Sequence, residues 1–290
     1  MKVVYIQDMD PLASQGGAQL TDKTLIYEGL RRGHRIEILV PETFHNDYNA
    51  DLVLISNATR FDPRVLRPAE GKTPYVVFHH DYNYCRFRLY FPLQEKCKSC
   101  PYLPAWRKLF DEAQLNIFMS PLHRDAYLAV APELSDMPNE LCPSLLDPAE
   151  WPKSELSRTA GTVLAVNSLV PYKGRANVLA YAEKHPALKF TMAGASEGEG
   201  DIPPNASHIG LVTDAKLREL YGTHERFIHL PPTPMPSERT CIEARLSGCG
   251  MILNPLVGIT SYRQWELPDD EFRSWLATRA ENLWKVIEKL

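Results

Sequence analysis

The most informative stretch of this sequence for chemistry is Pro234 to Gly250, Pro-Met-Pro-Ser-Glu-Arg-Thr-Cys-Ile-Glu-Ala-Arg-Leu-Ser-Gly-Cys-Gly. Ser237 is a good N-cap for a helix opening at Glu238 or Arg239. Glu243, one turn in, can accept hydrogen bonds from ribose hydroxyls or pair with Arg239, four residues earlier. Lys173-Gly174 lies just past a strand, where a lysine can offset the charge of a diphosphate or stand as a solvated surface side chain. Gly16-Gly17 follows the first strand and precedes a helix, so backbone there can approach a ligand and the helix N-terminus favours negative charge. An ordinary βα turn is the plainer reading of that pair. The dinucleotide pattern GxGxxG is absent, which disfavours an NAD enzyme.

A second feature runs from Tyr84 to Lys108. Arg86, Arg88, Lys96, Lys98, Arg107 and Lys108 are interleaved with Phe87, Tyr90, Phe91, Tyr102 and Trp106, and Glu95 is the acid among them. Such a segment suits a phosphorylated acceptor, a lipid-diphosphate carrier or an anionic membrane surface, and equally a solvated loop with aromatic packing. It also holds Cys85 and the pair Cys97-x-x-Cys100. That spacing suits zinc, with His79, His80 or Cys142 to complete the ligands. Lacking a second such pair, the cysteines are read as reduced thiols and no metal is assigned to the chemistry.

The elements that must position these groups alternate. Val3–Ile6, Ile36–Val40, Asp51–Ile55, Tyr75–Phe78 and Leu115–Met119 are short, apolar on consecutive positions and bounded by turn residues. A helix from Ala18 to Arg32 ends at Gly33. Strand and helix in alternation predict an α/β doubly wound domain. The pattern lapses between Cys142 and Ala160, where Pro143, Pro148 and Pro152 mark a linker. It restarts with strands at Thr162–Val166, Leu188–Met192, Ile209-Gly210, Phe227–Leu230 and Met251–Leu253, and helices at Arg175–Lys184, Asp214–Tyr221 and Glu238–Leu246. A last amphipathic helix carries Phe272, Trp275, Leu276, Leu283, Val286 and Ile287 at helical spacing. The expected domains are 1–145 and 155–265, with 268–290 able to pack back on the first.

Composition fits this picture. The chain has 290 residues, net charge −4, 44% hydrophobic and 23% charged residues. That excludes a largely disordered chain and argues against a bulk nucleic-acid binder. Its N-terminus turns polar too soon for a secretory signal, so a cytoplasmic protein is expected.

At the glycine, lysine and Pro234–Gly250 motifs the sequence resembles the GT-B glycosyltransferases, in particular the large retaining group that uses nucleotide-diphosphate sugars. Asp10 to Leu39 resembles that group's opening, with Gly16-Gly17 before a helix and Arg32-Gly33-His34 before the second strand. Leu164 to Gly194 resembles its strand, Lys-Gly, helix, strand and glycine passage. His208 to Gly258 resembles its donor-site passage, with Ile242-Glu243-Ala244, Gly248 and Gly258. The likeness covers most of the chain.

The resemblance implies two Rossmann-like domains facing a central cleft and transfer of a sugar, UDP- or GDP-linked, to a hydroxyl acceptor with retention. Gly16 and Gly17 would contact donor phosphate or sugar, Lys173 would neutralise the diphosphate, and Glu243 would hold the ribose. Backbone N–H groups near Glu238, Arg239 and Thr240 would bind phosphate. His80-Asp81 matches a catalytic His-Asp pair facing sugar and acceptor; the tandem His79-His80, on opposite strand faces, leaves open which histidine lines the cleft, and both can equally fill polar strand-end positions. The acceptor would be a glycan or other carbohydrate, a lipid-linked or phosphorylated-lipid hydroxyl, or a small molecule, entering over the first domain, with peripheral membrane contact left open. No cofactor beyond the donor and no nucleic-acid partner is expected.

Two positions depart from the pattern. Met235 stands where the first glutamate of Glu-x7-Glu belongs, with Glu238 nearby as a substitute. Ser168 stands where an arginine is common, with Arg175 or Arg239 to supply the charge. These departures keep alive a non-catalytic sugar-nucleotide or glycan binder, and the twin-Rossmann layout an epimerase or phosphorylase.

Overall fold

A computed structural model describes residues 1–14, 16–47, 49–68, 73–85, 88, 90, 102–197 and 201–290, apart from the side chain of residue 102. The chain divides into two compact units, Met1–Leu146 with Ser274–Leu290, and Asp147–Arg273. The first division falls inside the proline-containing stretch. Residues 266–273, outside both expected domain ranges in part, belong to the second unit.

Unit 1 is built on β1 (Lys2–Ile6), β2 (Arg35–Leu39), β3 (Leu52–Ser56), β4 (Tyr75–His79), β5 (Leu115–Phe118) and β6 (Asn139–Leu141). All pairings are parallel, in the order β2-β1-β3-β4-β5-β6. Every residue of β3 and β4 is buried, as the unbroken apolar runs require of strands covered on both faces. Helices α1 (Gly17–Arg31), α2 (Pro63–Leu66), α3 (Tyr102–Asp111) and α4 (Pro121–Leu128) supply that cover. Strand alternation divides the core. Val4, Ile6, Val53, Ile55 and Val77 pack with Trp106, Phe110 and Tyr127, while Val3, Tyr5, Leu52, Leu54 and Val76 pack with Leu25 and Ile26. The strand order reverses between β1 and β3, the place where open α/β sheets bind ligands.

Unit 2 carries β7 (Thr159–Val166), β8 (Lys189–Ala193), β9 (Ala206–Gly210), β10 (His224–His229) and β11 (Gly250–Leu253), again all parallel, in the order β11-β10-β7-β8-β9. Between them run α5 (Arg175–Lys184), α6 (Asp214–Thr223) and α7 (Arg239–Leu246). Val163, Ala165, Phe190, Met192 and Ile228 meet Val178 and Ala182 of α5 in the core. Here the order reverses between β7 and β10.

The single last helix expected from the sequence is two, α8 (Asp269–Ala277) and α9 (Arg279–Ile287). At the break the Thr278 hydroxyl and the Arg279 guanidinium both bond to the Trp275 carbonyl, at 3.0 and 3.2 Å. Side chains that take a ladder carbonyl compete with the helix itself. α9 completes the unit 1 core with Leu283, Trp284 and Ile287. The Trp284 indole N–H donates to Leu25 O at 2.8 Å, and a Cβ on Gly29 would stand 2.4 Å from its ring. Trp284→Phe keeps an aromatic body but loses that bond and some volume. Thermal unfolding should report a loss of about 1–2 kcal/mol in unit 1. Among the described residues no helix is long and apolar enough to cross a membrane.

Candidate functional site

At the C-terminal edge of the unit 2 sheet, on either side of the reversal point, four polar side chains converge. Ser168 follows β7, His229 ends β10, Lys173 ends a short turn at Pro171–Lys173, and Glu238 precedes α7. Ser168 Oγ lies 3.2 Å from His229 Nδ1. Glu238 Oε2 lies 3.2 Å from His229 Nε2 and 3.8 Å from Lys173 Nζ. Burial alone would raise the Glu238 carboxyl, but Lys173 and His229 outweigh it and hold it at about 2.

Local backbone chemistry builds this arrangement. Gly174 has φ +100°, and a Cβ there would sit 2.1 Å from Leu230 O, so only glycine brings the Lys173 turn this close to β10. Asn177 Nδ2 donates to the same carbonyl at 2.9 Å. Gly258 has an equally tight role, since its Cβ would lie 2.2 Å from Pro236 O. Ser237 does not cap α7 as the sequence suggests. The N-cap is Glu238, at φ 71° and ψ 81°, with no side-chain capping bond. A non-glycine residue held left-handed stores strain. The Glu238 side chain is turned to Lys173 and His229 instead of to the helix. α7 therefore starts uncapped beside the lysine.

Other expected donor residues have different surroundings. Glu243 is buried with Oε1 accepting from Arg239 Nε at 2.7 Å and Oε2 from the Tyr221 hydroxyl at 3.3 Å. Burial raises its carboxyl against the pull of Arg239 and Tyr221. Arg239 is thus committed to Glu243, while Arg175 donates to Ser196 Oγ at 3.0 Å. Met235 is buried, and its N–H donates to Leu256 O at 2.8 Å.

In unit 1, Gly16 is the N-cap of α1 without a capping side chain, and a Cβ on Gly17 would meet open space. From the same helix Asp22, fully buried, gathers a polar cluster. Its carboxylate takes Tyr5 OH at 2.6 Å, Ser56 Oγ at 2.7 Å, Gln7 Nε2, and His80 Nε2 at 2.7 Å. His79 faces the other way, to Asn116 Oδ1 at 2.9 Å and the Tyr127 hydroxyl at 3.1 Å. Burial drives it down to about 3, so it is neutral. Asp81 is partly exposed, 3.7 Å from Arg88. Beyond β1 and β3 opens a cleft of about 900 Å³, lined in part by Asp8, Gln19, Thr59, Arg60, Arg88 and Trp106. Burial raises the Asp8 carboxyl, although the Arg60 and Thr59 N–H groups donate to it at 2.7 and 3.1 Å.

Arg86, Phe87, Phe91, Glu95, Lys96, Cys97, Lys98, Cys100 and the side chain of Tyr102 lie outside the described residues. Arg107 and Lys108 are on α3, where Arg107 pairs with Glu133. Cys85, Cys142, Cys241 and Cys249 are free thiols. His229 and Asp22 went unnoticed in the sequence. His229 interrupts the apolar run Phe227–Leu230, which is the available signal, whereas Asp22 stands between Thr21 and Lys23 and offers none.

No protein-family model matches the sequence, and no curated protein is similar to it. Solved structures are. Anabaena HepE with UDP and glucose is 15% identical over 98% of this chain and 91% of its own, with TM-score 0.61. AviGT4, a glycosyltransferase of avilamycin A biosynthesis, is 15% identical over 99% and 97%, with TM-score 0.60. Sucrose-phosphate synthase from Thermosynechococcus elongatus is 14% identical over 98% and 90%, with TM-score 0.70. With two parallel, helix-covered sheets in one chain, this protein has the fold of the GT-B glycosyltransferases.

Proposed function

We propose that this chain is a glycosyltransferase that moves a sugar from a nucleotide-diphosphate donor, UDP- or GDP-linked, to a hydroxyl acceptor. One observation carries the reading: the Lys173 ammonium stands beside the uncapped start of α7, at the reversal point of the unit 2 sheet. A diphosphate is the ligand such a place favours, through the ammonium and through backbone N–H groups at a helix N-terminus. As the donor bond breaks, the departing diphosphate gains charge where these groups already point, and such preorganised stabilisation is usually the largest catalytic contribution.

The remaining roles follow from position. Ser168 and Thr240 supply hydroxyls at the phosphate end, and Glu238, in the absence of a glutamate at position 235, addresses the donor sugar. Glu243, with Arg239, is assigned the ribose. In unit 1, Gly16 and Gly17 admit donor phosphate or sugar to the backbone. His80, oriented by Asp22, and the partly exposed Asp81 face sugar and acceptor. Glu238 is held by Lys173 and His229 and is not presented as a nucleophile, so retention by attack from the leaving-group face is the matching stereochemistry. The scheme calls for no divalent cation. A carbohydrate or phosphorylated-lipid acceptor fits the arginine-bearing cleft of unit 1.

A thermal-shift screen with UDP-, GDP-, ADP-, dTDP- and CMP-linked sugars tests the reading. HepE has been crystallised with UDP-glucose, which puts uridine donors first. A donor well above its dissociation constant should stabilise the protein by about 2–4 kcal/mol. No shift with any of them overturns the proposal, and binding without transfer or donor hydrolysis reduces it to a binding module.

A further inference from the structure

We infer that His229 is a positioning residue that takes up a proton when the donor diphosphate engages Lys173; this rests on the donor reading of the unit 2 edge. His229 is completely buried at the end of β10. Its Nε2 stands 3.2 Å from Glu238 Oε2. That same oxygen is the one facing Lys173 Nζ at 3.8 Å. A single buried carboxylate oxygen is therefore shared between an ammonium and a ring nitrogen.

Ser168 lets the ring change state in place. Its hydroxyl lies 3.2 Å from His229 Nδ1 and 3.3 Å from Val166 O. With a neutral ring, Ser168 donates to Nδ1. With a charged ring, Nδ1–H donates to Ser168, whose own proton turns to Val166 O. No heavy atom has to move. Cys241 on α7 also lies close to Glu238 and Lys173, and burial pushes its thiol up, so it stays neutral. On β11 the register partner of His229 is Leu253, which is apolar.

A diphosphate draws Lys173 toward itself and leaves Glu238 as a buried charge without its ammonium partner, a costly state. A proton on His229 restores the balance and keeps Glu238 and the start of α7 in place. Donor binding is then linked to uptake of up to one proton, and affinity rises as pH falls.

Two measurements decide this. UDP-glucose, whose phosphates stay fully ionised in this range, is titrated calorimetrically between about pH 6 and pH 8 in buffers of different ionisation enthalpy. The dissociation constant should fall about three- to tenfold toward pH 6 in the native chain, with proton uptake, and be flat in His229→Gln. A flat native profile, or the same slope in His229→Gln, overturns the inference. Separately, and without nucleotide, the ring resonances of His229 are followed by NMR in the native chain and in Lys173→Met. Removing the ammonium should move the His229 titration midpoint upward, and an unchanged midpoint overturns the coupling. If UDP-glucose and the other donors fail to bind, the proposed function falls, while the ligand-free titration still judges the His229–Glu238–Lys173 coupling by itself.

Discussion

Lys173→Ala should lower kcat for sugar transfer by two to three orders of magnitude, about 3–4 kcal/mol of transition-state stabilisation, and weaken donor binding. The size follows from where the ammonium stands. It shares Glu238 Oε2 with His229 next to an uncapped helix start, so it is held ready for charge that grows only as the diphosphate departs. Lys173→Arg keeps a charge but replaces a compact ammonium with a planar fork, and should recover part of the rate. Steady-state kinetics with the donor found by thermal shift make the test, and unchanged turnover in Lys173→Ala removes the residue from the mechanism. The substitution has a second signature. The Glu238 carboxyl sits at about 2 against an ordinary 4.5, so its stabilising share is fully present above pH 4.5 and is lost as pH falls toward 2. With Lys173 gone, acid unfolding of unit 2 should depend less steeply on pH in that window.

Gly174→Val should destabilise unit 2 by about 2–5 kcal/mol and abolish donor binding together with it. A left-handed backbone costs a side-chain-bearing residue about 1–2 kcal/mol, and overpacking adds about 1–3. Both apply here, because φ is +100° and the new Cβ would stand 2.1 Å from the Leu230 carbonyl. Backbone cannot step aside as a flexible side chain could. Urea unfolding followed by the tryptophans, fitted with separate transitions for the two units, measures the loss. Gly17→Ala is the contrasting control, since a Cβ there meets nothing within 4 Å. Native-like stability of Gly174→Val would show that the turn can adopt another path.

The fold was open to reading because its strands announce themselves. Val3–Ile6, Leu52–Ile55 and Tyr75–Phe78 are apolar on successive residues, and strands buried on both faces have to be. Gly174 was visible as part of Lys-Gly, but its reason, the Leu230 carbonyl, comes from β10 and cannot be seen locally. The same holds for the polar clusters. Asp22 lies within a helix and collects partners from β1, β3 and the end of β4. His229 becomes informative only once Ser168 and Glu238 are beside it. Ser237 misled because capping preference is a local rule, while the backbone turn at Glu238 and the reach of its side chain to Lys173 and His229 are set by the tertiary fold. The break at Thr278 has no glycine or proline to mark it, only two side chains competing for the Trp275 carbonyl.

Because Ser274–Leu290 belongs to unit 1, the whole of unit 2 is threaded through the middle of its companion's polypeptide. During synthesis the first sheet emerges early, yet the indole that plugs it beneath α1 arrives only with the closing turns of α9. Until more than a hundred further residues are made, the amino-terminal half therefore lacks the Leu283, Trp284 and Ile287 side chains that complete this core. A product halted before Trp284 would keep that part of the core open to water, an apolar surface that invites association with other chains.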